Sequence, residues 1–217
     1  MTFTPFDMQR WPRREHFAYF SRMAPTDYSL TVQPDVTRMR EALRARSLHF
    51  YPAYLWAVTR NLNRQPEFRT ALRDGRIGCY DTLTPLYAFF HEDDHTFSLM
   101  WTAYDADFGT FYARHMENLA RHGGHHGLLS QPETPPPENA YTVSCVPWIS
   151  FRHFAVHSYD DKPYYFPSVE AGQFVRRDGR MLLPLSITCH HAATDGWHVQ
   201  RFLKELQADM DGFEAFL

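Results

Sequence analysis

The sequence predicts an α+β fold, a two-layer sandwich of helices on one large mixed β-sheet. Helical periodicities come early in the chain and strand-like runs cluster later. No internal repeat and no regular strand–helix alternation runs along it. With 217 residues, 44% of them hydrophobic, the chain suits one sizeable core, and residues 1–217 are expected to form a single domain.

The segment FDMQRWPRREHFAYFSR opens a helix, with Pro12 suited to its first turn. A second helix follows Asp35 as N-cap and carries Val36, Met39 and Leu43 on one face. A third begins at Pro52, where Leu55, Val58 and Leu62 recur at helical spacing. Asp74–Gly75 marks a turn before the strand-like RIGCYD. LYAFFH and TFSLMW read as two strands around the polar EDDH, and an amphipathic helix fits 105–121. The low-complexity stretch 122–140 is too short to divide domains and reads as a surface excursion. YTVSCVPW, YYFPSVEAGQF, the hairpin turn RRDGR and the strand MLLPLSITCH follow. A last helix runs from about Gly196, with Val199, Phe202, Leu203, Leu206 and Met210 facing the core.

A net charge of −3 and the lack of any Lys/Arg run argue against nucleic-acid binding. Arg greatly outnumbers Lys, which occurs only at 162 and 204. Cys79, Cys145 and Cys189 are an odd set in apolar, strand-like settings, and read as reduced, buried small hydrophobes. No basic N-terminus leads into an apolar stretch, and no segment reaches the ~18 apolar residues of a membrane span. The expectation is a cytoplasmic protein without a membrane partner.

Three histidine-bearing segments compete as sites. HEDDH (91–95) matches the zinc-protease pattern HExxH, but that pattern needs a helix to bring both histidines to one face. Strand-like aromatic runs flank it here, so a hairpin turn explains it better. His122, His125 and His126 lie in a Gly-rich loop with no Cys or acidic residue at ligand spacing, and no metal is expected there. HHAATDG (190–196) sits where the apolar strand PLSITC runs into a helix start, a junction that can aim a histidine into a cleft from rigid backbone. Spacing alone leaves His191 open as a general base, a metal ligand, a ring oriented by Asp195, or a structural residue beside a helix N-cap.

Six blocks decide between these. WPRREHF (11–17), HFYPAYLWAVTRNLN (49–63), PEFRTALRDG (66–75), FHEDDHTFS (90–98), VSCVPWISF (143–151) and LLPLSITCHHAATDGWHVQRF (182–202) resemble, in order and spacing, the chloramphenicol acetyltransferases. The HHxxxDG box alone is shared with dihydrolipoyl acyltransferases and peptide-synthetase condensation domains. The resemblance implies acetyl transfer from acetyl-CoA, as co-substrate, to the primary hydroxyl of chloramphenicol, giving antibiotic resistance. His191 would be the general base and Ser144 the oxyanion donor, with Asp195 paired to Arg13 as architecture. No metal and no acyl-enzyme are implied. The family is trimeric, with sites at subunit interfaces, so a homotrimer is expected.

By the same resemblance Phe20, Tyr28 and Phe97 match or neighbour acceptor-pocket positions, and Tyr51, Trp148 and Phe174 match coenzyme A contacts. Glu170 stands where the family has a threonine supporting the oxyanion. An ionised carboxylate there would repel developing negative charge, unless burial keeps it protonated. Thr188, Trp197, His49 and Gln173 also depart from the family pattern. Two other functions stay open: an acetyltransferase of the same fold with another hydroxylated small-molecule acceptor, or a catalytically weak drug-binding trimer.

Overall fold

In the computed structural model, which describes residues 1–157 and 164–217, the chain has the expected α+β architecture. Lys162 lies outside the described residues. A short strand, β1 (Phe3–Pro5), precedes α1 (Arg14–Ala18), which runs on into one π-helical turn over Tyr19–Met23. Pro12 stands ahead of α1 instead of in its first turn. Next comes β2 (Asp27–Val32), a strand the sequence reading did not anticipate.

Helix α2 (Thr37–Ala45) starts two residues beyond Asp35. Asp35 is therefore not the N-cap itself, but its Oδ1 accepts from the Thr37 N–H at 2.9 Å and so still turns the chain into the helix. Helix α3 (Phe50–Asn63) begins two residues before Pro52, whose missing N–H costs nothing in a first turn. The hairpin β3 (Thr70–Arg73) and β4 (Arg76–Tyr80) turns at Asp74 and Gly75, both at positive φ, as a two-residue turn matched to strand twist requires. Strands β5 (Thr84–Phe90) and β6 (Phe97–Trp101) flank HEDDH as a turn. Helix α4 (Phe108–His122) is capped by Asp107, which accepts from the Thr110 N–H at 2.8 Å.

The second half holds β7 (Ala140–Val146), β8 (Ser168–Gly172), β9 (Val175–Arg177), β10 (Arg180–Leu182), β11 (Leu185–His190) and α5 (Gly196–Asp211). MLLPLSITCH is two strands, not one: Pro184 has no N–H to give a ladder, and β10 pairs with β9 while β11 joins the main sheet.

That six-stranded sheet has the order β2-β11-β8-β7-β5-β6 and is mixed, because β7 runs parallel to both neighbours. Ala53, Leu55, Trp56, Ala57 and Val58 of α3 are fully buried, the signature of a helix enclosed on nearly every side. It packs against β5, α4 and α5. Asp209 of α5 accepts from Arg60 at 3.1 Å and from Asn61 at 2.9 Å, fastening α5 to α3. The three cysteines are free, but only Cys189 is fully buried; Cys79 and Cys145 are half-buried. No helix among the described residues is long and apolar enough to cross a membrane.

Candidate active site

Strand β11 carries the chain to His190, and α5 starts at Gly196, so the intervening turn must fix the HHAATDG side chains. It does so through backbone bonds: the Ala193 and Thr194 N–H groups donate to the His190 carbonyl at 3.1 and 3.2 Å, and the His191 N–H donates to the Thr26 carbonyl at 2.8 Å. The two histidines then diverge. His190 Nδ1 accepts from the Ala192 N–H at 3.1 Å, and its ring is wedged edge-on against Tyr165. Burial pushes the His190 imidazole down, away from the charged form.

His191 Nδ1 lies 3.0 Å from the Thr194 carbonyl oxygen. A carbonyl only accepts, so Nδ1 carries a proton here, and in the neutral tautomer the lone pair is on Nε2. Phe20 stacks on this ring at 4.0 Å between centroids, and Tyr28 meets it edge-on at 5.2 Å. Tyr28 in turn donates to Thr194 Oγ1 at 3.1 Å. The ring is thus held from both sides and through its protonated nitrogen.

Asp195 does not touch this ring's nitrogen. Its Oδ2 accepts from Arg13 Nη1 at 2.7 Å, its Oδ1 accepts from the Trp197 N–H at 3.0 Å, and the Asp195 N–H donates to His198 Nδ1 at 3.1 Å. This is a capping box at the start of α5, with α1's Arg13 docked onto it. Burial alone would raise the Asp195 carboxyl, but Arg13, His198 and the Trp197 N–H together hold it below the ordinary carboxylate range.

A cavity of about 760 Å³ opens elsewhere, over β5, β7 and β8. Its wall includes Tyr51, Phe97, Ser144, Trp148, Glu170 and Phe174. Ser144 of β7 is level with Glu170 of the parallel neighbour β8, and the Ser144 carbonyl accepts from Tyr54 Oη at 3.4 Å. Glu170 is 2% exposed. Ser168 donates to its Oε1, while Oε2 has no hydrogen-bond partner among the described residues. Burial, only partly offset by Ser168, pushes the carboxyl up to about 7. Trp148 and Phe97 are more than half exposed. Phe174 lies edge-on to Phe50 and under the Arg40 guanidinium at 4.3 Å.

The fold therefore gathers Arg13, Phe20, Tyr28, His191 and Asp195 at one corner, and the remaining candidates at the cavity. It does not join the two sets. Ser186, level with Glu170 and Ser144, lies two strands from β7 and five residues before His191. At the usual strand spacing and rise that is about 10 Å sideways and about 17 Å along the sheet. One chain's His191 and Ser144 cannot reach a common atom.

The chloramphenicol acetyltransferase family model matches residues 1–207. The chain belongs to that family. A chloramphenicol acetyltransferase of Streptomyces acrimycini is 39% identical over 94% of this chain and 92% of its own length. Another, from Clostridioides difficile, is 37% identical over 95% of each. A solved chloramphenicol acetyltransferase superposes with a TM-score of 0.87 at 26% identity, covering 95% of this chain and 99% of that one. A dihydrolipoamide acetyltransferase of Azotobacter vinelandii shares the fold alone, with a TM-score of 0.63 at 19% identity over 88% and 83%. As a chloramphenicol acetyltransferase-family chain, it is an acyltransferase.

Within this family member, four contributors were not read from the sequence. The Thr194 and Thr26 carbonyls that fix His191 carry no side-chain signature. Ser168 does: it stands two residues before Glu170 on one strand, hence on the same face. Arg40 over Phe174 could not be foreseen, because α2 and residue 174 are brought together only by the fold.

Proposed function

We propose that this protein transfers the acetyl group of acetyl-CoA to the primary hydroxyl of chloramphenicol, within a homotrimer whose sites pair one chain's His191 corner with a neighbour's cavity. The carrying observation is His191 itself. Its Nδ1–H is committed to the Thr194 carbonyl, which leaves Nε2 as the basic nitrogen. Nε2 takes the hydroxyl proton as that oxygen bonds to the thioester carbonyl carbon. The tetrahedral adduct then expels the coenzyme A thiolate, which recovers the proton from His191. General-base assistance of this kind is worth roughly 10²–10⁴-fold.

Ser144 is the reading's oxyanion donor, and a hydroxyl on the cavity wall suits that part. Tyr51, Trp148 and Phe174 offer aromatic surface for the coenzyme, and Phe97, Phe20 and Tyr28 for the nitrophenyl acceptor. The separation of His191 from Ser144 within one chain supports an assembly in which each site draws on two chains. Residues 1–217 are read as one domain because one buried apolar cluster draws on residues from Val36 to Phe213. A cytoplasmic location fits acetyl-CoA as the donor.

Thiol release from acetyl-CoA, followed with chloramphenicol, tests the reading. Rapid release that falls at least ~10²-fold in His191→Ala supports it; release with other alcohols but not chloramphenicol refutes the acceptor. That second acceptor class is favoured by one observation, the unpaired Glu170 Oε2 at the cavity, which invites a polar group on the bound alcohol. Tight chloramphenicol binding with no release from any alcohol would leave only a drug-binding trimer.

A further inference from the structure

The HEDDH turn and the histidine-rich loop are 30 residues apart in sequence but meet in the fold, as the His126–Asp94 contact spanning 32 positions shows. The loop runs along β6, the free edge of the sheet: the Leu99 N–H donates to the Leu128 carbonyl at 2.6 Å and the Ser130 N–H to the Leu99 carbonyl at 3.0 Å. Just ahead of that ladder, one donor atom each of His91, Asp93 and His126 lies within 4.8 Å of the other two. His95, the second histidine of the HExxH pattern, is not among them; at φ 59° it lies instead by Phe90. His126 takes its place.

The geometry around His126 suits a bound cation. Its Nδ1 is 2.8 Å from Asp94 Oδ2, a partner that only accepts, so Nδ1 carries a proton. Its Nε2 is 3.4 Å from Asp93 Oδ2. The ring nitrogen and the carboxylate oxygen thus face each other at a separation that two ligands of one ion would adopt. Two ligands on a tetrahedral ion with bonds of ~2.0–2.1 Å lie roughly 3.4 Å apart, the separation already present. Asp94 is then the carboxylate that orients a metal-binding imidazole through its far nitrogen. His91, 5% exposed and bonded to Ser98 Oγ at 2.9 Å, gives the site a fixed wall. The two rings are stacked at 4.2 Å, so their in-plane lone pairs run side by side. Closing on one ion takes a swing of the exposed His126 ring, in a loop where Gly123, Gly124 and Gly127 ease backbone adjustment.

We infer that His91, Asp93 and His126 bind one divalent transition-metal ion of the zinc, cobalt or nickel type, which pins the glycine-rich loop to the β5–β6 turn. Two imidazoles and one carboxylate suit such ions and leave a coordination position for water.

Untagged, chelator-stripped protein titrated with Co²⁺, read by its d–d absorption, and with Zn²⁺ against a chromophoric chelator, tests the site. The expected result is one ion per chain. Asp93→Asn and His126→Ala change exposed side chains, so folding is not at stake, and circular dichroism melts confirm it. Each should weaken binding at least ~100-fold, and Asp94→Asn about 10-fold. His125→Ala, in the same loop but outside the group, should leave affinity unchanged. No bound ion, parent-like affinity in His126→Ala and Asp93→Asn, or an equal loss in His125→Ala would each overturn the site.

Discussion

The corner around His191 and the cavity wall around Ser144 are built on opposite terms. At the corner the groups that orient His191 are already engaged, Nδ1 on Thr194, Tyr28 on Thr194, and Asp195 on Arg13 and the α5 N-terminus, although Arg13 Nε and Nη2 are buried with no partner among the described residues. At the cavity Glu170 Oε2 is buried without a partner among the described residues, and Trp148 and Phe97 present open aromatic faces. The His191 ring is thus oriented before any substrate arrives, as a precisely aimed side chain requires. The cavity is completed by what enters it and, in the proposed trimer, by a neighbour's corner.

The largest effects test whether the two regions work together across chains. His191→Ala should lower kcat by ~10²–10⁴-fold and Ser144→Ala by ~10²–10³-fold. Mixing the two inactive chains in equal amounts and reassembling them should restore about a quarter of the parent activity, since random pairing in a cyclic trimer joins an intact corner to an intact cavity at that frequency. No recovery from properly assembled mixtures would break the comparison.

Stability against pH gives the next largest signal, with opposite signs in the two regions. Asp195 is held below its ordinary pKa, so its contribution is present above that value and lost as pH falls through the depressed one. Glu170 is raised from 4.5 to about 7. The folded state therefore binds its proton more tightly, and stability falls as pH rises across that interval, by on the order of 3 kcal/mol. Urea midpoints of Glu170→Gln should lose the fall between these values and keep the acid limb. Asp195→Ala strands Arg13 and removes a cap, for about 3 kcal/mol at neutral pH. A parent-like pH profile in Glu170→Gln would refute the sign assigned to the cavity.

Smaller effects sharpen the picture. Glu170→Gln should raise kcat/KM about 10-fold at pH 8, where the parent carboxylate opposes the oxyanion by the equivalent of ~1.4 kcal/mol, and change it little at pH 6. An unchanged ratio between the two pH values would remove Glu170 from the oxyanion's surroundings. Phe20→Leu, which loses the stack on His191, should cost about threefold in kcat, in keeping with ~0.5–1.5 kcal/mol for an aromatic pair. No change would mean that Thr194 and Tyr28 fix the ring without the stack.

Much of this was legible in the sequence, for physical reasons that can be named. Leu55, Val58 and Leu62 repeat at helical spacing within a helix that is buried on nearly every side, and Asp195 caps α5 from its own position in the box. Strand β2 was not legible: it is an edge strand with no fully buried residue, so its face pattern is weak. Pro184 was visible, but only the pairing of β10 with β9 shows that it divides two strands. The distance between His191 and Ser144 depends on which strand lies between β11 and β7, and no local pattern encodes sheet order. The meeting of His91 with His126 is hidden for the same reason.

The Thr194 carbonyl has one more consequence. A base steered by a carboxylate loses its guide when acid neutralises the guide, so its pH–rate curve mixes two failures. A peptide carbonyl has no proton to gain in the working range. The bearing of the His191 ring is thereby uncoupled from the titration of any carboxylate. The site behaves as a compass whose needle is set by the chain's own backbone.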